Sequence, residues 1–219
     1  MIAATGKIAG CNANERNLMT QQYIDPRRQV ARDSFTGSRM TDSQFDEAWH
    51  IAGIINREIH RSGSFITTLG KYATAFETDR KFNKDRAEVI LRDIYSARYG
   101  ESMNKTREGL LNKEAAIRDT IQPQALHHAR SIGDMIASGP TMPFYQTADI
   151  AGTTMARAHS ITESGAKKMM AEAFERADGP SLREYGKELE EKHHTPVREA
   201  ARAARKREQA QMQRSVPQR

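Results

Sequence analysis

Apolar residues recur along this chain at steps of three and four, with no convincing period-two alternation, and that spacing predicts an all-α protein. In "TDSQFDEAWHIAGIINREIHRSG" the positions Phe45, Ala48, Ala52, Ile55 and Ile59 fall on one helix face. Thr41 and Gln44 have the spacing of a capping box, and Gly63 suits a helix stop. "SFITTLGKYATAFETD" gathers Phe65, Leu69, Tyr72 or Ala73, and Phe76, although Gly70 and the threonines weaken its helix propensity. Asn83 is placed to cap "KDRAEVILRDIYSARYG", where Ala87, Ile90, Leu91, Ile94 and Tyr95 make the strongest stripe of the chain, closed by Gly100.

The pattern continues through Leu110, Leu111, Ile117 and Ile121. Pro123 then breaks the chain and suits the first turn of a helix buried along Leu126, Ala129, Ile132 and Ile136. "GPTMPFYQT" reads as a linker, with Pro140 and Pro143 bracketing Met142 ahead of Phe144 and Tyr145. Beyond it, "ADIAGTTMARAHS" is helical, and Ala166, Met169, Met170, Ala173 and Phe174 form another stripe ended by Gly179 and Pro180. Ser181 and Glu184 repeat the capping-box spacing before Leu182, Tyr185 and Leu189. Thr195 followed by Pro196 is expected to open a separate terminal helix.

These elements describe a multi-helix bundle with a flexible N-terminal arm and a projecting basic C-terminal helix. The expected organisation is an irregular arm without core over 1–40, a helical core over 41–138, and a linker over 139–147. A helical C-terminal region over 148–194 and a basic helical tail over 195–219 complete it.

Composition narrows the class. Hydrophobic residues make up 37% of 219, low for a fully packed globule, and the formal charge of +6 biases the chain toward polyanions. Cys11 is the single cysteine, so no intramolecular disulfide or four-thiolate zinc site can form within one chain. No run approaches the ~20 apolar residues of a membrane span. The first residues lack a secretory apolar core, so a cytoplasmic protein is expected.

Catalytic motifs are not apparent. Neither a phosphate loop of the GxxxxGK[ST] type nor a G-x-S-x-G elbow occurs, and Cys11 has no charge cluster beside it. His127-His128 and His193-His194 are adjacent pairs, which diverge by about 100° on a helix and lack the i, i+4 spacing of a metal pair. The second pair would close a helix, where the dipole favours imidazolium. Acidic pairs such as Asp46-Glu47 and Glu190-Glu191 belong to solvated faces. No catalytic residue, metal or cofactor is therefore assigned, and an enzyme is disfavoured.

The tail stands apart. From Pro196 onward, seven basic residues face only Glu199 and Glu208, leaving +5 of the chain's +6 there. Ala200, Ala201, Ala203 and Ala204 favour helix without supplying a packing stripe. Such a helix suits sequence-independent phosphate neutralisation by Arg198, Arg202, Arg205, Lys206 and Arg207, with Arg27, Arg28 and Arg32 as a second patch. No aromatic residue interleaves to stack unpaired bases.

Two stretches, "YSARYGESMNKTREGLL" (Tyr95 to Leu111) and "YGKELEEKHHTPVREAARAARK" (Tyr185 to Lys206), resemble small accessory proteins of conjugative or mobilisable alphaproteobacterial plasmids. The resemblance implies a mobile-element context in a bacterial cytoplasm, and basic C-terminal ends of that kind also resemble type IV secretion signals. The first reading is thus a non-enzymatic helical accessory protein binding DNA or a nucleoprotein complex through its basic segments. The alternative is a protein-interaction module, a translocated effector, secretion substrate or inhibitor of a host factor. There the tail is an export or docking signal, and Met142, Phe144 and Tyr145 contact a protein partner. Either reading is compatible with a homo-oligomer.

Overall fold

The computed structural model describes residues 25–37, 39–80, 83–139 and 142–215. Among these residues it is all-α, with nine helices and a single isolated bridge between Thr36 and Met40. The helices are α1 (Pro26–Phe35), α2 (Asp42–Ser62), α3 (Ile66–Arg80), α4 (Lys84–Tyr99), α5 (Met103–Ile117), α6 (Gln122–Ser138), α7 (Phe144–His159), α8 (Glu163–Asp178) and α9 (Leu182–Ser215).

Local chemistry sets most of the boundaries. Thr41 accepts from the Gln44 backbone N–H while the Gln44 side chain accepts from the Thr41 N–H, so the capping box at the start of α2 is complete. Gly63 ends α2 at φ 71° and Gly100 ends α4 at φ 79°, a left-handed conformation that strains residues bearing a Cβ. Asn83 and Ser102 cap α4 and α5, Thr162 caps α8, and Ser181 exchanges bonds with Glu184 at the entry to α9.

The apolar stripes pack into two cores. The first joins α1 to α5 around Phe45, Ile55, Ile59, Leu69, Phe76, Leu91, Ile94 and Tyr95. Its sole buried phenol, Tyr95, donates to Asn56 at 2.7 Å and lies 3.1 Å from the Thr106 hydroxyl, so its polar end is satisfied. The guanidinium of Arg98 lies over Trp49 and Tyr99 and donates to the Trp49 carbonyl at the edge of the same core. The second core joins α6 to α9 around Ala129, Ile132, Ile136, Met155, Met169, Met170 and Phe174.

The seam between them lies at 111–120, not at 139–147. Helix α6 packs on α7, α8 and α9, so the glycine and prolines after it turn the chain inside one core instead of linking two. Such residues report a chain reversal and carry no information about which elements share a core. Helix α2 meets α8 across the seam. There the Glu114 carboxylate accepts from the Thr162 backbone N–H at 2.9 Å and from the Thr162 hydroxyl, placing a negative charge at the start of α8. Arg107 donates to the Gly63 carbonyl at 2.9 Å and fixes α5 to the end of α2.

Two further expectations change. The segment expected to be an irregular arm is helical from Pro26: Asp25 caps α1, Pro26 occupies its first turn, and Ala31 and Phe35 enter the first core together with Met40. Only these positions of α1 are buried, too few to show as a period, while Val30 is 71% exposed. Residues 1–24, with Cys11, lie outside the described residues. Pro196 does not open a new helix but sits inside α9, which runs unbroken from Leu182 to Ser215. The ring removes one intrahelical bond, yet the packed turns before it and the alanine-rich turns after it both favour helix.

Candidate nucleic-acid interface

Over 182–208, the packed part of α9 ends at His194. Leu182 and Gly186 are buried on the side of the second core, Tyr185 and Leu189 are half-buried against it, and His194 is the last buried residue of the helix up to Glu208. From Thr195 through Glu208 every side chain is exposed. At 1.5 Å rise per residue, 195–215 carries the helix about 30 Å beyond His194.

Unbroken helix from Arg198 to Arg207 fixes the angular order of the basic residues. At about 100° per residue, Arg198, Arg202 and Arg205 fall within an arc of about 60°, and Lys206 lies next to Arg202. Arg207 points to the opposite side, among Ala200, Ala203 and Ala204. The three stripe arginines span about 10 Å of axis, the rise of about three phosphates along one DNA strand. No ion-pair partner engages these five cations among the described residues, so their charge faces solvent.

The patch expected on the front segment is largely used inside the molecule. Arg28 donates to the Asp46 carboxylate at 2.8 Å, and Arg32 donates to the same oxygen while its guanidinium lies over the Phe45 ring. Burial opposes ionisation of Asp46, but the bonds from Arg32 and Arg28 outweigh it and hold the carboxyl below its usual range. Both arginines therefore fasten α1 to α2. Arg27 alone of the three stays exposed and without an ionic partner among the described residues.

The three linker hydrophobes also separate. Phe144 begins α7, is half-buried against the second core, and its backbone N–H donates to the Glu190 carboxylate of α9. Glu190 is thus not the solvated acid expected. Met142 is half-buried, and Tyr145, at 63% exposure, is the one of the three that faces solvent.

The histidine pairs behave differently from one another. His193 and His194 lie within α9, so the helix-end account of them does not apply; His194 is fully buried with Nε2 3.4 Å from the Ile136 carbonyl and no bond at Nδ1. Burial pushes the His128 imidazole below its ordinary range, helped by repulsion from His127 and His159. No metal-binding cluster of His, Cys, Asp and Glu occurs among the described residues. No helix among them is long and apolar enough to cross a membrane.

Sequence reasoning missed one cationic concavity. Arg57, His60 and Arg61 of α2 share a groove with Arg157 at the end of α7. The i, i+3, i+4 spacing on α2 is visible in the sequence, whereas the arrival of Arg157 depends on the contact between cores. Comparison of the chain with family models, with curated proteins and with solved structures returned no match.

Proposed function

We propose that this protein is a non-enzymatic helical accessory protein that binds duplex DNA, or a nucleoprotein complex, through the projecting end of α9. The observation that carries the reading is the unbroken helix beyond His194, with Arg198, Arg202, Arg205 and Lys206 on adjacent faces and exposed. Arginines at that spacing neutralise phosphates without reading base edges, so binding is sequence-tolerant and strongly salt-dependent. The second core holds the base of the helix so that the stripe extends beyond its packed turns. The setting, a bacterial mobile element, rests on the plasmid-protein resemblance of the segments from Tyr95 and from Tyr185.

The test is fluorescence anisotropy of a labelled random-sequence duplex with the full chain over a salt series. Four phosphate contacts give a slope of log affinity against log salt near about −3.6. The variant R198Q/R202Q/R205Q/K206Q is expected to lose most of that slope and affinity while keeping its helical signal. Equal binding by the variant would remove the tail from the interface. If neither protein binds the duplex, the tail is better understood as an export or docking signal, with Tyr145 the remaining exposed candidate for a protein contact.

A further inference from the structure

The seam between the two cores opens into a groove of about 540 Å3, bounded by the last turns of α2, the last turn of α7 and the first turn of α8. Ala156 and Ile161, 4% and 2% exposed, form its apolar side. Arg57, His60 and Arg61 line it from α2, on one helix face, and Arg157 lines it from α7. Against these three guanidinium groups the lining holds one carboxylate, Glu163, and Arg61 additionally lies 3.9 Å from Glu58.

Six arginines elsewhere in the body are used differently. Arg28, Arg32, Arg39, Arg92, Arg118 and Arg130 each have an acidic partner within 4.0 Å. Arg57 and Arg157 have none among the described residues. The helix dipole accounts for a cation in the last turn of α2 or of α7 taken singly. It does not account for cations from two cores converging on one concavity with a single carboxylate between them. Guanidinium forks are matched to the several acceptor oxygens of a phosphate, and an apolar wall strengthens each such bond by excluding water from one side. The volume falls in the ~300–1,000 Å3 range of small-molecule sites, more than an inorganic anion fills.

We propose that this groove is a binding site for a phosphate ester of nucleotide size, its phosphate held by Arg57, Arg61 and Arg157 with His60 as a further donor. The site is separate from the α9 stripe and does not depend on the function assigned to it.

The test titrates the full chain with adenosine monophosphate and with inorganic phosphate, following the His60 imidazole resonances by NMR and the heat of binding by calorimetry. Saturable binding of the nucleotide that moves His60 is expected, weakened at least about tenfold in R57Q/R157Q, since charge-assisted bonds are lost. The substitutions are at exposed positions, and an unchanged thermal midpoint certifies the fold. R198Q/R202Q/R205Q is expected to bind the nucleotide like the parent. If instead a DNA duplex moves His60 in that stripe variant and the mononucleotide does not, the phosphate recognised belongs to a nucleic-acid backbone. No saturable binding of any of these probes, or binding that R57Q/R157Q leaves unchanged, overturns the proposal.

Discussion

The ring of Phe144 occupies the space into which a side chain on Gly186 would project: a Cβ placed there meets Cδ2, Cε2 and Cγ of the ring well inside van der Waals contact. The missing side chain lets α7 and α9 approach closely, and the bond from the Phe144 N–H to Glu190 holds the ring's backbone in place. Gly186→Ala should therefore destabilise the protein by about 1–2 kcal/mol, the overpacking cost exceeding the helix-propensity gain of about 1 kcal/mol. Denaturant unfolding of Gly186→Ala, Phe144→Ala and the double variant checks this. The double variant should be more stable than the sum of the single losses allows; strict additivity would show that the ring swings away at no cost.

Glu114 is the clearest polar tie between the cores, reaching from α5 to the start of α8, where it takes two donors of Thr162. Glu114→Ala leaves those donors and the α8 terminus without their anion, and a loss of about 1.5–3 kcal/mol is expected. Glu114→Gln, which keeps an acceptor oxygen but no charge, should lose less. Hydrogen exchange would localise the effect, with amides at the start of α8 opening sooner in Glu114→Ala. Unaltered exchange there would mean that water replaces the carboxylate without penalty.

Acid sensitivity is expected to run through Glu172. The bond from Arg118, with Nε at 3.2 Å, holds its carboxyl below the usual carboxylate range against a weaker opposing effect of burial. A carboxyl depressed on folding contributes stability above its unfolded value, about pH 4.3, and that contribution disappears as the pH falls through the lower folded value. Arg118→Gln should thus be less stable than the parent at pH 7, with the two unfolding midpoints converging as the pH is taken well below 4. A gap that persists undiminished at pH 2 would assign the difference to lost packing of the Arg118 stem. Asp46 and Asp178, held low by Arg32 and Arg130 respectively, predict the same direction for the whole protein.

Periodicity recovered the helices that carry a full stripe. Phe45 to Ile59 in α2 and Ala166 to Phe174 in α8 are buried as their spacing demands, and the capping pairs Thr41 with Gln44 and Ser181 with Glu184 are formed. What failed required knowledge of partners. Phe35 is a core residue because Phe45 comes to 6.4 Å from it across a turn, which no local pattern encodes. Arg28 and Arg32 look like free cations until α2 brings Asp46 beneath them. The grouping of α6 with the helices that follow it, against the suggestion of Gly139 and Pro143, is likewise a property of packing. The exposed arginines of α9 were legible because exposure there follows from an absence of apolar residues, but the direction in which their stripe faces depended on Pro196 not ending the helix.

That dependence makes Pro196 the decisive position for the geometry of the tail. As the structure has it, the ring interrupts the intrahelical ladder at Lys192 inside a helix otherwise continuous to Ser215, at a cost of about 3 kcal/mol relative to alanine. Pro196→Ala should restore the bond, raise helical ellipticity and the thermal midpoint, and leave duplex affinity unchanged, because the stripe of Arg198, Arg202 and Arg205 keeps its direction. If Pro196 were instead the first residue of a separate helix, the same substitution would remove a favourable first-turn residue and fuse two segments that were angled apart. Stability would then stay level or fall, and the affinity for DNA would shift as the stripe turned. Circular dichroism and the salt-dependent binding curve of this single variant separate the two arrangements.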